Sequence, residues 1–178
     1  KVAEVLLKNK VAEVELNIPK LNNLCNYKLA EAIAEGMLHA TYKFDKFKSE
    51  KKETPELIVN YNPIPGKEHR AEKGIDEAKK LIESIFLTRD LVNQPANVIY
   101  PETLADITKE RLEAKGVKVT VYGKKEIEEI GMEAFLTVAR ASAKEPKLIV
   151  MEYYNNPESD ERIALVGKGL TYDSGGYA

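Results

Sequence analysis

Cysteine is almost missing from this sequence, with Cys25 standing alone. An internal disulfide is therefore excluded, and the usage fits a reducing compartment. Long hydrophobic runs are missing as well. No apolar stretch approaches the ~20 residues of a membrane span. The first residues, Lys1, Val2, Ala3 and Glu4, contain no apolar core of a signal peptide. They contain no initiator Met either, so the natural N-terminus is expected to lie upstream. A surplus of charge is the third absence. The 27 basic and 29 acidic side chains leave a net charge of −2. They are interspersed, as on a solvated surface. Together with a pI near 5.9 this gives no electrostatic footprint for nucleic acid. Neither nucleic acid nor a membrane is expected as a partner.

What is present suffices for a folded protein. Apolar residues make up 43% of 178, enough for the core of one ordinary domain or two small ones. The pentapeptide Lys1-Val2-Ala3-Glu4-Val5 recurs as Lys10-Val11-Ala12-Glu13-Val14. Two copies are too few for a repeat fold. Alternation of Val11, Glu13 and Glu15 with Ala12, Val14 and Leu16 predicts a strand ending by Pro19. Asn22 or Asn23 is placed to cap a helix, with Leu29, Ile33, Met37 and Ala40 at helical spacing. His39 on that segment reads as an ordinary surface or core side chain. Residues 41–53 mix Tyr42, Phe44 and Phe47 with lysines, a pattern that can bind single strands. Asp45, Glu50 and Glu53 dilute it. Residues 56–61 predict a short strand. Asn62-Pro63-Ile64-Pro65-Gly66 is the clearest break in the chain, and a domain boundary is placed there.

A long helix is predicted over residues 67–92, with Ala71, Ile75, Ala78, Leu81, Ile82, Ile85 and Val92 on one face. Pro95 ends it, since the residue before proline avoids helical angles. Arg89, Asp90 and Asn93 near its end carry enough charge for catalysis. An ion pair and a cap holding the turn explain them more simply. Beyond it, Pro101 opens a helix that stops at Gly116. Residues 117–122 predict a strand, 124–130 a helix stopped by Gly131, and 132–139 an apolar helix. Residues 138–145 form a polar loop that could line a cleft. Strands are predicted over 147–154 and 162–166. The order of elements argues for an α/β fold with a mixed sheet.

The last apolar run, Ile163, Ala164, Leu165 and Val166, reads as a buried strand that feeds a loop with four glycines. In α/β sheets, chemistry gathers at the carboxyl ends of strands. Lys168 and Asp173 lie in that loop. Asp is a good ligand for a divalent ion, and one carboxylate can bridge two. Lys coordinates only as the free amine. For an ordinary lysine, deprotonation at pH 7 costs roughly 4.6 kcal/mol, which a metal must exceed. From spacing alone, a Lys–Asp ion pair at a tight turn remains the competing reading. A phosphate-binding loop fails its template, because Gly169 follows Lys168 where Ser or Thr is required.

The run VGKGLTYDSGG, residues 166–176, resembles the signature of the leucyl aminopeptidase (cytosol aminopeptidase) family of two-metal enzymes. So do Thr88-Arg89-Asp90-Leu91-Val92-Asn93-Gln94-Pro95-Ala96-Asn97 and the following Pro101-Glu102. Residues 42–48 are similar to a stretch of that family's N-terminal domain. The resemblance covers roughly residues 25 to 178. It implies a metal-dependent, cytoplasmic aminopeptidase that removes N-terminal residues from peptides and assembles as a homohexamer. By resemblance, Lys168 binds one of two divalent ions (zinc, manganese or magnesium) and Asp173 bridges both. The implied layout is a partial, macro-like α/β N-terminal domain over residues 1–66 and a connector helix over 67–93. Residues 94–178 then begin the catalytic domain as a mixed-sheet αβα sandwich. No catalytic residue of the family falls within the chain. The family's other ligands, an Asp and an Asp-x-Glu in a motif like NTDAEGR, are expected downstream of Ala178. So are its catalytic lysine and its bicarbonate-binding arginine. The chain therefore reads as an internal slice of the enzyme, inactive by itself. The alternative is a non-catalytic assembly or regulatory module derived from the family.

Overall fold

The computed structural model describes residues 1–17, 25–51 and 56–172. Their contacts group into two compact units, Lys1–Asn93 and Gln94–Ala178.

The first unit opens with α1 (Val2–Lys8), whose Ala3 is buried. Lys10 follows at φ 55°, the one non-glycine residue with positive φ among the described residues. Its left-handed turn directs the chain into β1 (Glu13–Asn17). The two KVAEV copies thus take different structures, the first helical and the second running from the turn into the strand. The same five residues carry too little local preference to decide, so tertiary surroundings do.

Helix α2 (Asn26–His39) is capped by Cys25, whose Sγ accepts the Lys28 N–H at 3.5 Å. The expected caps, Asn22 and Asn23, lie outside the described residues. Strand β2 (Ile58–Asn62) pairs parallel with β1, Glu13 opposite Ile58 through Asn17 opposite Asn62. Side chains reinforce the ladder on its exposed face: Asn60 Nδ2 donates to Glu13 Oε1 at 2.7 Å, and Asn62 Nδ2 to Asn17 Oδ1 at 2.8 Å.

Helix α3 (Glu68–Asn93) packs along α2. Its buried stripe is Ala71, Gly74, Ala78 and Ile82, three and four residues apart. Two residues expected on that face, Leu81 and Val92, are instead exposed. Gly74 takes the place of a side chain because the helices nearly touch there. A Cβ on Gly74 would lie 2.3 Å from the Tyr27 carbonyl oxygen and 3.1 Å from the Glu31 nitrogen. With Ala30 and Ala71 each 1% exposed, the seam is built of the smallest residues available.

In the second unit, α4 (Pro101–Glu113) begins with Pro101, and Thr103 Oγ1 accepts the Tyr100 N–H at 3.0 Å. Strand β3 (Lys118–Tyr122) follows, then α5 (Lys124–Ile130) and α6 (Glu133–Ala139). The Glu126 carboxylate accepts the Gly123 N–H and so closes the start of α5. Gly131, at φ 81°, ends that helix in the left-handed conformation that glycine adopts without a Cβ penalty. Strand β4 (Leu148–Glu152) pairs antiparallel with β3, Lys118 opposite Glu152. Those two side chains form an ion pair at 2.8 Å, and this bond holds the Glu152 carboxyl below its ordinary range. Ile99, Ala105, Val119 and Ile127 form the buried core.

The α/β class is the one expected. The strand expected over residues 162–166 is a correction, because these residues take no regular structure. Ile163, Leu165 and Val166 are 92%, 94% and 99% exposed rather than buried. A strand is stable only when a neighbour pairs its backbone and a face covers its side chains. Among the described residues, neither is supplied.

The α2–α3 seam makes a paired prediction. Gly74→Ala should lower stability by about 1–3 kcal/mol, because overpacking outweighs the better helix propensity. Gly36, in α2, has nothing within 4 Å of its would-be Cβ. Gly36→Ala should therefore raise stability by up to about 1 kcal/mol. Urea midpoints of the two variants check the contrast, and a stabilised Gly74→Ala would mean that the helices are not in contact there.

Candidate functional site

Lys168 lies in the irregular stretch after residue 166 and is exposed. Asp173, its expected companion, lies outside the described residues, so their mutual geometry is not defined. The backbone around Lys168 is open on one side. A Cβ on Gly167 would meet nothing within 4 Å, while one on Gly169 would reach ordinary contact with Leu104 Cδ2 of α4 at 3.8 Å. Among the described residues, no group of three His, Cys, Asp or Glu side chains could hold a metal ion. A single amine is not a divalent-ion site, so the described residues do not by themselves fit a metal centre.

The first unit holds a network that sequence reasoning missed. Its centre is Tyr42, just beyond α2. The Arg89 guanidinium lies 3.7 Å from the centre of the Tyr42 ring, and the Phe86 ring lies 5.0 Å away in a tilted arrangement. The Tyr42 hydroxyl donates to Asp90 Oδ1 at 2.8 Å and accepts from Asn93 Nδ2 at 3.0 Å. One phenol therefore uses both its donor and an acceptor site, and its ring serves a cation. Partial burial is the main reason its ionisation is pushed above the ordinary tyrosine range. The Asp90 bond adds to that, and the Asn93 bond opposes it. Arg89 and Asp90 were expected to pair with each other. No such pair exists among the described residues, and both serve Tyr42 instead. The available signal was that Tyr42 and Arg89-Asp90-Asn93 both stood out, in stretches with matching hydrogen-bonding needs.

Beside Tyr42 and Arg89 opens a shallow cleft of about 410 Å³, whose walls include Glu4, Gly36 and His39. His39 is exposed, as an ordinary surface histidine is. No described helix is long and apolar enough to cross a membrane. In the second unit, Glu102 Oε1 accepts the Glu145 N–H at 3.3 Å, which ties the loop after α6 to the start of α4; residues 138 and 139, expected in that loop, belong to the helix.

Comparison with known proteins gives a consistent pattern. Residues 1–51 match a model described as the cytosol aminopeptidase family, N-terminal domain. Residues 86–178 match the catalytic domain of the same family. A probable cytosol aminopeptidase of Treponema denticola is 82% identical over the whole chain, which covers 37% of that protein. One from Clostridium tetani is 47% identical over 97% of the chain and 36% of its own length. The chain thus spans a little over a third of these relatives. Among solved structures, a mutant of tomato leucine aminopeptidase superposes with a TM-score of 0.85 at 28% identity, over 98% of this chain and 36% of that one. The bottromycin maturation enzyme BotP, solved in complex with Mn, shares the fold at a TM-score of 0.70 and 24% identity, over 85% of this chain and 32% of its own.

The Tyr42 network predicts an alkaline dependence. A raised ionisation in the folded state gives stability that is present below the ordinary tyrosine value of about 10 and lost as pH rises through the folded value. Tyr42→Phe keeps the ring and removes the hydroxyl. It should lower the melting temperature at neutral pH and flatten the loss of stability above pH ~10. Combined with Asn93→Ala it should cost less than the sum of the two changes. Simple additivity in thermal melts would mean that the hydroxyl and Asn93 do not interact.

Proposed function

Because the chain belongs to the cytosol aminopeptidase family, we propose that it supplies the N-terminal region and the start of the catalytic domain of a metal-dependent aminopeptidase. The observation that carries this reading is the match of residues 86–178 to the family's catalytic domain, which includes the glycine loop. The substrates are peptides, from which the whole protein releases N-terminal amino acids. We assign α3 the role of connector over residues 67–93, between an N-terminal domain of residues 1–66 and catalytic residues 94–178. The whole protein is taken to be a cytoplasmic homohexamer using two divalent ions, with zinc, manganese and magnesium as candidates.

Within the loop, Lys168 is read as a donor to one ion and Asp173 as a bridge between two. The chemistry a bound ion supplies is polarisation of the scissile carbonyl and of the attacking water. The chain's own part is narrower. Gly167 and Gly169 keep the main chain slim on either side of Lys168, so that its amine can approach a ligand closely. A carboxylate and an amine are too few donors for two ions, so activity belongs to the whole protein.

Two measurements test this. The pure 178-residue chain should not hydrolyse leucine anilides, and metal-dependent turnover that stays with it through gel filtration would refute the division of labour. In the whole protein, Lys168→Arg preserves positive charge but cannot give a free amine. It should remove one metal site, and the wild-type affinity should rise with pH while the variant's does not. Identical metal content and identical pH slopes would show that Lys168 is a structural residue.

A further inference from the structure

The chain that leaves residues 163–166 comes back onto α4. Val166 is 99% exposed and Leu170 only 42%. The point of return is Gly169, where a Cβ would meet Leu104 Cδ2 at 3.8 Å, an ordinary van der Waals distance. Among the described residues, Leu104 is the one side chain that a methyl at that position would touch. The main chain next to Lys168 therefore passes over Leu104 with about a methyl group's clearance.

Leu104 is itself held. On one side of it in sequence, Thr103 Oγ1 donates to the Val98 carbonyl at 2.9 Å and accepts the Tyr100 N–H at 3.0 Å. On the other side, Ala105 is buried in the core of the second unit. The Leu104 carbonyl also accepts the Thr108 hydroxyl at 2.7 Å. The turn of α4 that carries Leu104 is thus fixed on both sides. We propose that Leu104 is a positioning residue for Lys168: its side chain is the seat on which Gly169 rests, and its bulk sets how far the lysine-bearing main chain stands off α4. The proposal rests on the reading of Lys168 as a donor to a metal ion. Leu104 has no donor atom, so it can act on the ion only through the loop. Neighbours that hold a ligand in place are worth roughly 10–100-fold in metal affinity, and the seat is assigned a share of that order.

Hydrogen exchange of the metal-free whole protein and manganese(II) titration of the same protein test this together. In Leu104→Ala the amides of residues 168–170 should exchange about tenfold faster than in the wild type. Manganese should bind about tenfold more weakly at the site that Lys168→Arg removes. Leu104→Met conserves volume and should stay close to the wild type in both measurements. Leu104→Val, a milder truncation, should show both changes in smaller measure and serves if the Ala variant does not fold. A role in packing alone would lower the melting temperature of the truncated variants and leave the manganese affinity of the folded protein unchanged, and that result would overturn the proposal. So would unchanged exchange at residues 168–170 in the truncated variants, or a Leu104→Met variant as weak as Leu104→Ala. Identical manganese binding by the wild type and Lys168→Arg would overturn it through its premise. Faster exchange in Leu104→Ala would then show that the seat exists and that the donor reading alone has failed.

Discussion

The contact that the first unit depends on is the approach of α3 to α2 at Gly74. A missing Cβ lets two backbones come within van der Waals distance, and the alanines on either side keep that distance along the seam. Such packing gains little per side chain, since alanine buries little area, but it is dense, and dense packing transmits position. The consequence appears at the far end of the pair. Tyr42, just after α2, meets Phe86, Arg89, Asp90 and Asn93 in the last turns of α3.

The second unit is organised differently. Its core of Ile99, Ala105, Val119 and Ile127 is small, and its sheet has two strands. An antiparallel pair of this size is marginal without cover. The Lys118–Glu152 ion pair and the Glu126 and Gly131 bonds at either end of α5 are local devices, each closing within a short segment or across one strand pair. The glycine loop that carries the family signature emerges from this smaller unit through the exposed run 163–166.

How much of this was legible in the sequence follows from whether the deciding interaction is local. Helices α4 and α5 were legible because Pro101, Gly116 and Gly131 mark their ends with backbone chemistry that acts within a few residues. Strands β1 to β4 were legible from period-two alternation or short apolar runs between breaks. The failures are all non-local. KVAEV reads alike at residues 1 and 10 yet folds two ways. Gly74 was not among the residues expected on the buried face of α3, and only the approach of Tyr27 from the other helix puts it there. Residues 163–166 have the composition of a buried strand, but composition cannot supply the neighbour that a strand requires. For the site, the glycine loop with Lys168 was visible as a motif, whereas the Tyr42 network joins residues up to 51 positions apart and no motif contained it.

The close approach of α2 and α3 at Gly74 is what holds the first unit together. Hydrogen exchange of the dilute chain, followed by mass spectrometry, addresses it directly. Amides in α2 and α3 on either side of Gly74 should exchange only through opening of the whole first unit, and amides of residues 163–167 should exchange at close to unprotected rates. Exchange of the amides around Gly74 as fast as that of residues 163–167 would contradict this.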